Sequence, residues 1–146
     1  MSTSPRALPL VTISDAGQFS THPETIQLLR QQKQNIGVVV VAGLYRTGKS
    51  YLLNLLTKAP SGDKEGVKEG EGGSGFRGFA VGSTVNACTK GIWIWSEPIY
   101  DEEKNIYVYY LDTEGLGSTS RSETHDSHIF ALSLLLSSSF IYNSRG

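Results

Sequence analysis

The chain has 146 residues, a length that suits one domain. Its 13 basic and 14 acidic residues nearly cancel, which excludes a nucleic-acid or membrane patch built on bulk charge. The single cysteine, Cys88, excludes an internal disulfide framework and fits a reducing compartment.

In chain order, the opening residues have no apolar core of signal-peptide length. Residues 8–13, apolar and β-branched, are expected to form an edge strand. Residues 14–17 (SDAG) turn the chain. Thr21, His22, Pro23 and Glu24 form a capping-box pattern, with Pro23 in the first helical turn. The helix they open should turn Ile26, Leu28 and Leu29 inward and end near Asn35 and Gly37. Residues 36–42 are apolar without alternation, so the strand they form should be buried on both faces, as in a parallel sheet.

Residues 43–50 read GLYRTGKS, a complete G-x-x-x-x-G-K-S/T phosphate loop. A strand before it and an amphipathic helical stretch at 51–56 after it supply the setting this motif needs. Its glycines let successive backbone N–H groups converge on phosphate oxygens, and the helix N-terminus adds unpaired donors. Lys49 neutralises the β- and γ-phosphates, and the Ser50 hydroxyl ligates Mg²⁺.

Residues 58–78, dense in Gly, Lys, Glu and Ser, have too little apolar surface to fold and are expected to be a disordered insertion. Order should resume at Phe79. Residues 92–95 form a strand with Trp93 and Trp95 on one core face. Residues 97–105, holding Pro98 and five charged residues, connect it to a strand over 106–111. A helix capped by Thr124 or Asp126 should run over about 127–136, break at 137–139 and lead into a strand at 140–142. His125 and His128 read as surface groups at the start of that helix.

Asp112, Thr113, Glu114 and Gly115 follow an apolar strand. An aspartate at a strand's C-terminal end can hold Mg²⁺ through its water shell, and a glycine there admits a backbone N–H to the γ-phosphate. Between the two motifs lies a polar loop, residues 82–91. It needs a hydroxyl for Mg²⁺, for which Thr89 is the first candidate and Thr84 the second. Strands alternating with helices around a phosphate loop indicate an α/β layer architecture.

The runs GLYRTGKSYLLN, GSTVNACTKGIWIW, LDTEGLG and IFALSLLLSSSFIYNS resemble the guanylate-binding protein family of large dynamin-like GTPases, with atlastins as more distant relatives. The resemblance spans residues 10–146 apart from the insertion. It implies a P-loop NTPase, a Ras-like three-layer α/β domain with helices on both faces of the sheet, here truncated on its C-terminal side. The substrate it implies is GTP with Mg²⁺, hydrolysed to GDP and in some members on to GMP. The partner it implies is a second copy across the nucleotide, a GTP-dependent homodimer of the complete protein. Membrane contact would run through regions not in this chain, and localisation would be cytoplasmic or at the cytosolic face of membranes.

Residue by residue, the resemblance makes Gly43, Leu44, Tyr45, Arg46, Thr47, Gly48, Lys49, Ser50 and Tyr51 nucleotide-binding. It adds Val81, Gly82 and Ser83, and then Asp112, Thr113, Glu114, Gly115 and Leu116. Arg46 matches an internal arginine finger, Thr89 the switch I threonine, and Glu114 a glutamate that relays the attacking water's proton. Ser50, Thr89 and Asp112 match the Mg²⁺ ligands. Two positions depart from the pattern. Ala87 stands where a serine often holds the attacking water, and Cys88 where some members have histidine. The family's acidic guanine-reading residue and helical stalk have no counterpart within residues 1–146, so the chain reads as the N-terminal part of a GTPase domain. The alternative readings are a non-catalytic, nucleotide-regulated interaction protein or inactive fragment and, third, a generic P-loop ATPase.

Overall fold

The computed structural model describes residues 5–14, 16–43, 52–53, 56–57, 91–114 and 123–143. Among them a mixed seven-stranded sheet forms the middle layer. Its elements are β1 (Ala7–Ile13), β2 (Phe19–Thr21), α1 (Pro23–Gln31), β3 (Ile36–Gly43), β4 (Gly91–Trp95), β5 (Ile99–Asp101), β6 (Ile106–Glu114), α2 (Glu123–Leu136) and β7 (Ser139–Asn143). The strand order is β2-β1-β4-β6-β3-β7, with β5 also paired to β6. β3 is parallel to both β6 and β7, while β1, β2, β4 and β5 join through antiparallel pairs.

Alternation along the strands divides the apolar residues between the two faces. Val40, Ala42, Ile92, Ile94, Tyr109 and Leu111 point to one side, where α1 brings Ile26, Leu28 and Leu29 and α2 brings Ile129, Phe130 and Leu132. Val41, Trp95, Trp93 and Tyr110 point to the other, against Leu52 and Leu53, which are helical. The sheet thus carries helix on both faces, and Trp93 and Trp95 share one core face as their spacing implied. β3 is enclosed as expected only from Val40 onward, since Ile36 at its start is 42% exposed.

Several expectations are corrected by long-range pairing. β1 lies inside the sheet, not at its edge, because residues 19–21 form the short outer strand β2. Thr21 is therefore committed to pairing with Val11, and His22 becomes the N-cap of α1 without donating or accepting a side-chain cap bond. Its Nε2 instead lies 3.0 Å from Thr12 Oγ1. The capping box does not form. α1 also ends at Gln31, short of Asn35. Thr25, inside the helix and buried, donates from Oγ1 to the Pro9 carbonyl at 2.6 Å and fastens α1 to β1.

Residues 97–105 hold more order than a connection. β4 and β5 run in succession along the same side of β6, interrupted at Pro98, whose ring nitrogen has no proton for the ladder. A tight turn then returns the chain through Asn105, which takes φ 52°. Its Oδ1 accepts the Tyr100 hydroxyl at 2.6 Å. α2 begins at Glu123, before the expected capping residues, so Thr124 and Asp126 lie within it. The serine break after it is structural: Ser138 donates its N–H to the Val38 carbonyl at 2.8 Å and accepts the Val38 N–H on Oγ at 3.0 Å. This pair seats β7 beside β3. The β7 side of the sheet is apolar and exposed, with Leu135 84% and Tyr142 51% accessible. The expected insertion at 58–78 lies outside the described residues.

Candidate functional site at the strand ends

The chain passes from β6 through α2 to β7, and β7 lies on the other side of β3 from β6. β3 is therefore the point at which the parallel strands reverse direction of growth. In open α/β sheets, ligands bind in the crevice beyond the carboxyl ends at such a point. The residues at those ends are Gly43 on β3, Glu114 on β6 and Asn143 on β7.

Register aligns these ends. Val41, two residues before Gly43, pairs with Asp112, two residues before Glu114. Gly43 pairs with Asn143 and Glu114 with Gly91. Three sequence motifs consequently share one rim of the sheet. The phosphate loop leaves at Gly43, the polar loop enters at Gly91, and the D-x-x-G turn leaves after Glu114.

Asp112 lies between Val41 on one side and Trp93 on the other, and is 1% exposed. Alternation puts it on the face of Tyr110, Trp93 and Leu53. A carboxylate held out of water calls for a cation or donors nearby. It is a hard oxygen ligand of the kind Mg²⁺ takes. Thr113, fully buried, points to the opposite face and donates from Oγ1 to the Val41 carbonyl at 3.3 Å, which ties β6 to β3 beside the rim. Its side chain thereby holds the two strands together.

Gly91 is a position the motif reading passed over. It takes φ 150°, and a Cβ there would overlap the Val11 carbonyl oxygen. Only glycine lets β4 start this close to β1, where the β1 ladder shifts register between Pro9 and Val11. The sequence signal was a glycine at a strand's first residue. Asn143, the polar end of the run SFIYN, is a second such position.

Of the sequence-assigned residues, Gly43, Asp112, Thr113 and Glu114 are described, and the sheet brings them together. Leu44, Tyr45, Arg46, Thr47, Gly48, Lys49, Ser50, Tyr51, Val81, Gly82, Ser83, Thr84, Thr89, Gly115 and Leu116 lie outside the described residues. Among the described residues no helix is long and apolar enough to cross a membrane. His125 and His128 lie within α2 and face the β1–β2 turn.

Residues 16–146 match the family model described as "Guanylate-binding protein, N-terminal domain". The chain is 44% identical over 131 residues to guanylate-binding protein 1 of Chlorocebus aethiops, covering 89% of this chain and 19% of that protein. It is 44% identical over 131 residues to guanylate-binding protein 2 of Homo sapiens, with the same coverage. Guanylate-binding protein 5 of Mus musculus is 42% identical over 137 residues, covering 92% and 20%. The chain thus spans about one fifth of the length of these curated relatives.

Proposed function

This chain belongs to the guanylate-binding protein family, and from that premise we propose that it is the phosphate-binding part of a GTPase domain. It binds GTP with Mg²⁺ and serves hydrolysis to GDP and phosphate. The observation that carries this reading is the common rim: Gly43, Gly91 and Glu114 bring the ends of three phosphate-handling motifs to the switch point of one sheet.

In the proposed reaction a water oxygen attacks the γ-phosphorus, the bond to the β–γ bridging oxygen breaks, and GDP leaves. Backbone N–H groups of residues 43–50 orient the phosphates, and Lys49 offsets their charge. Ser50, Thr89 and Asp112 are oxygen donors that would hold Mg²⁺, which when bound would offset the charge of the phosphates. Gly115 gives its backbone N–H to the γ-phosphate, and Glu114 helps relay the water's proton. Arg46 stabilises the charge that develops on the transferring group. In the complete protein a GTP-dependent homodimer would order Arg46, in a cytoplasmic setting. The chain's one-fifth share of its relatives' length supports assigning guanine reading and the helical stalk to sequence outside residues 1–146.

A second reading is binding without turnover, favoured by Ala87, which offers no hydroxyl to the attacking water. Titration of the chain with GTP and ATP, with and without Mg²⁺, alongside phosphate release, separates the readings. Mg²⁺-dependent binding lost in Lys49→Ala, with release lost in Arg46→Ala, supports the GTPase. Mg²⁺-dependent binding with no release in either protein favours the second reading. Equal affinity for ATP and GTP leaves guanine selectivity outside this chain. Absence of binding to any nucleotide sinks both readings.

A further inference from the structure

The β1–β2 hairpin touches α2 and is joined to the end of β6 through β4. On one side Gly91, the first residue of β4, pairs with Thr12 of β1 and also with Glu114, the last residue of β6. The absence of a Cβ at Gly91 lets it sit against the Val11 carbonyl. On the other side the hairpin turn meets α2. Gly17 takes φ 79°, and a Cβ there would fall within the His125 imidazole. The rings of Phe19 and His128 lie 6.0 Å apart and tilted at 50°.

The turn itself is braced. Ser14 donates its N–H to the Gln18 carbonyl and accepts the Gly17 N–H on its own carbonyl, both at 2.9 Å. Its Oγ accepts the Gln18 N–H at 3.1 Å. A stiff arm therefore runs from the end of β6, across β4 and β1, to the early turns of α2. Residues 115–122, which hold Gly115, join the same two places along the chain.

We propose that the β1–β2 hairpin couples nucleotide state to α2. It fixes one end of the D-x-x-G segment through Gly91 and Thr12 and bears on the other through His125 and His128. The inference rests on the GTP-binding reading, in which Gly115 contacts the γ-phosphate. A contact present with triphosphate and absent with diphosphate changes the load on the first turns of α2, where the hairpin meets it. Linkage is reciprocal for binding free energies: if the γ-phosphate alters the hairpin–α2 contact, weakening that contact alters affinity for the γ-phosphate by the same factor. Phe19 and His128 are on this view positioning residues, since neither touches nucleotide.

The chain has three histidines, so its imidazole NMR signals are few and can be assigned by single His→Gln variants. The full 146-residue chain would be titrated with Mg·GDP and with a Mg-bound non-hydrolysable GTP analogue. Phosphorus spectra of the same samples report binding. The expected result is that the His125 and His128 signals differ between diphosphate and triphosphate forms, while His22, held by Thr12, moves least. Phe19→Ala removes a side chain that is 41% exposed and should leave the fold intact. It should change the ratio of triphosphate to diphosphate affinity by ~5-fold or more, the low end of typical coupling. A merely structural role would lower both affinities together and leave that ratio unmoved. Binding seen by phosphorus with His125 and His128 unmoved, or an unchanged ratio in Phe19→Ala, overturns the coupling and leaves the GTP reading standing. No nucleotide signal at all overturns both.

Discussion

Strands β3 and β6 lie side by side in parallel, yet their two ends invert the usual rule of what is buried. At the carboxyl end, polar Asp112 and Thr113 are almost completely enclosed. At the amino end, apolar Ile36 and the nearby Tyr100 of β5 are 42% and 46% exposed. Burying a carboxylate is costly, and exposing an isoleucine forgoes apolar burial. The amino end is held by ordinary hairpin devices, the Asn105 turn and the Tyr100–Tyr107 ring contact at 5.0 Å. The carboxyl end accepts enclosed polar groups where the three segments proposed to handle phosphate begin or end. The contrast separates an end that closes a sheet from an end that encloses polar groups.

The largest test of this contrast lies at the carboxyl end. Arg46→Ala should lower GTP turnover by ~10³- to 10⁵-fold while nucleotide affinity changes little, as read by single-turnover phosphate release beside equilibrium binding. Asp112→Asn keeps shape and removes charge. It should weaken Mg²⁺-dependent binding by roughly 10- to 100-fold, the scale of one hydrogen bond to a charged group. If it binds as tightly as the parent protein with Mg²⁺, the enclosed carboxylate is structural and the contrast breaks. Leu111→Ala, in the shared core between the ends, should cost about 2–5 kcal/mol of stability, seen as a lower urea midpoint.

At the amino end, Tyr100→Phe deletes one exposed hydrogen bond and should cost less than about 1 kcal/mol. It should leave nucleotide binding unchanged; a weakened affinity would show that the two ends are not independent. The mildest test is alkaline titration of the fold. Burial raises Tyr109 above its ordinary 10.0. Burial first and the Asp101 charge second raise Tyr110. The folded protein therefore holds these protons more tightly than the unfolded chain. The stability they contribute is fully present below pH 10 and declines as pH rises toward the folded values. Tyr109→Phe should flatten that decline in a thermal-melt series from pH 9 to 11.

Much of the fold was legible where signals are local. The apolar run of β3, the inward leucines of α1 and the alternation that sets Trp93 beside Trp95 each follow from spacing within a few residues. What failed was pairing over distance. Thr21 looked like part of a helix cap until Val11 claimed it as a strand partner. Residues 99–101 looked like connection because three residues carry too little pattern to announce a strand without β6 beside them. Gly17 looked like an ordinary turn glycine until His125 came to rest on it.

By itself, the sequence determined which chemistry to expect. A phosphate loop is eight contiguous residues whose glycines, lysine and hydroxyl act on the ligand through their own backbone and side chains, so spacing alone specifies them. Asp112 stood out as a carboxylate following an apolar run, in a strand that goes on to Glu114. Tertiary structure decided which ends meet. It set Gly91 against Glu114 and Val11, enclosed Asp112 between Val41 and Trp93, and laid the β1–β2 hairpin across α2. Those relations depend on strand register and on helix packing between residues far apart in the chain, as Gly17 and His125 are. No local periodicity encodes them, because each is fixed only when the whole sheet satisfies its backbone hydrogen bonds and both of its apolar faces at once.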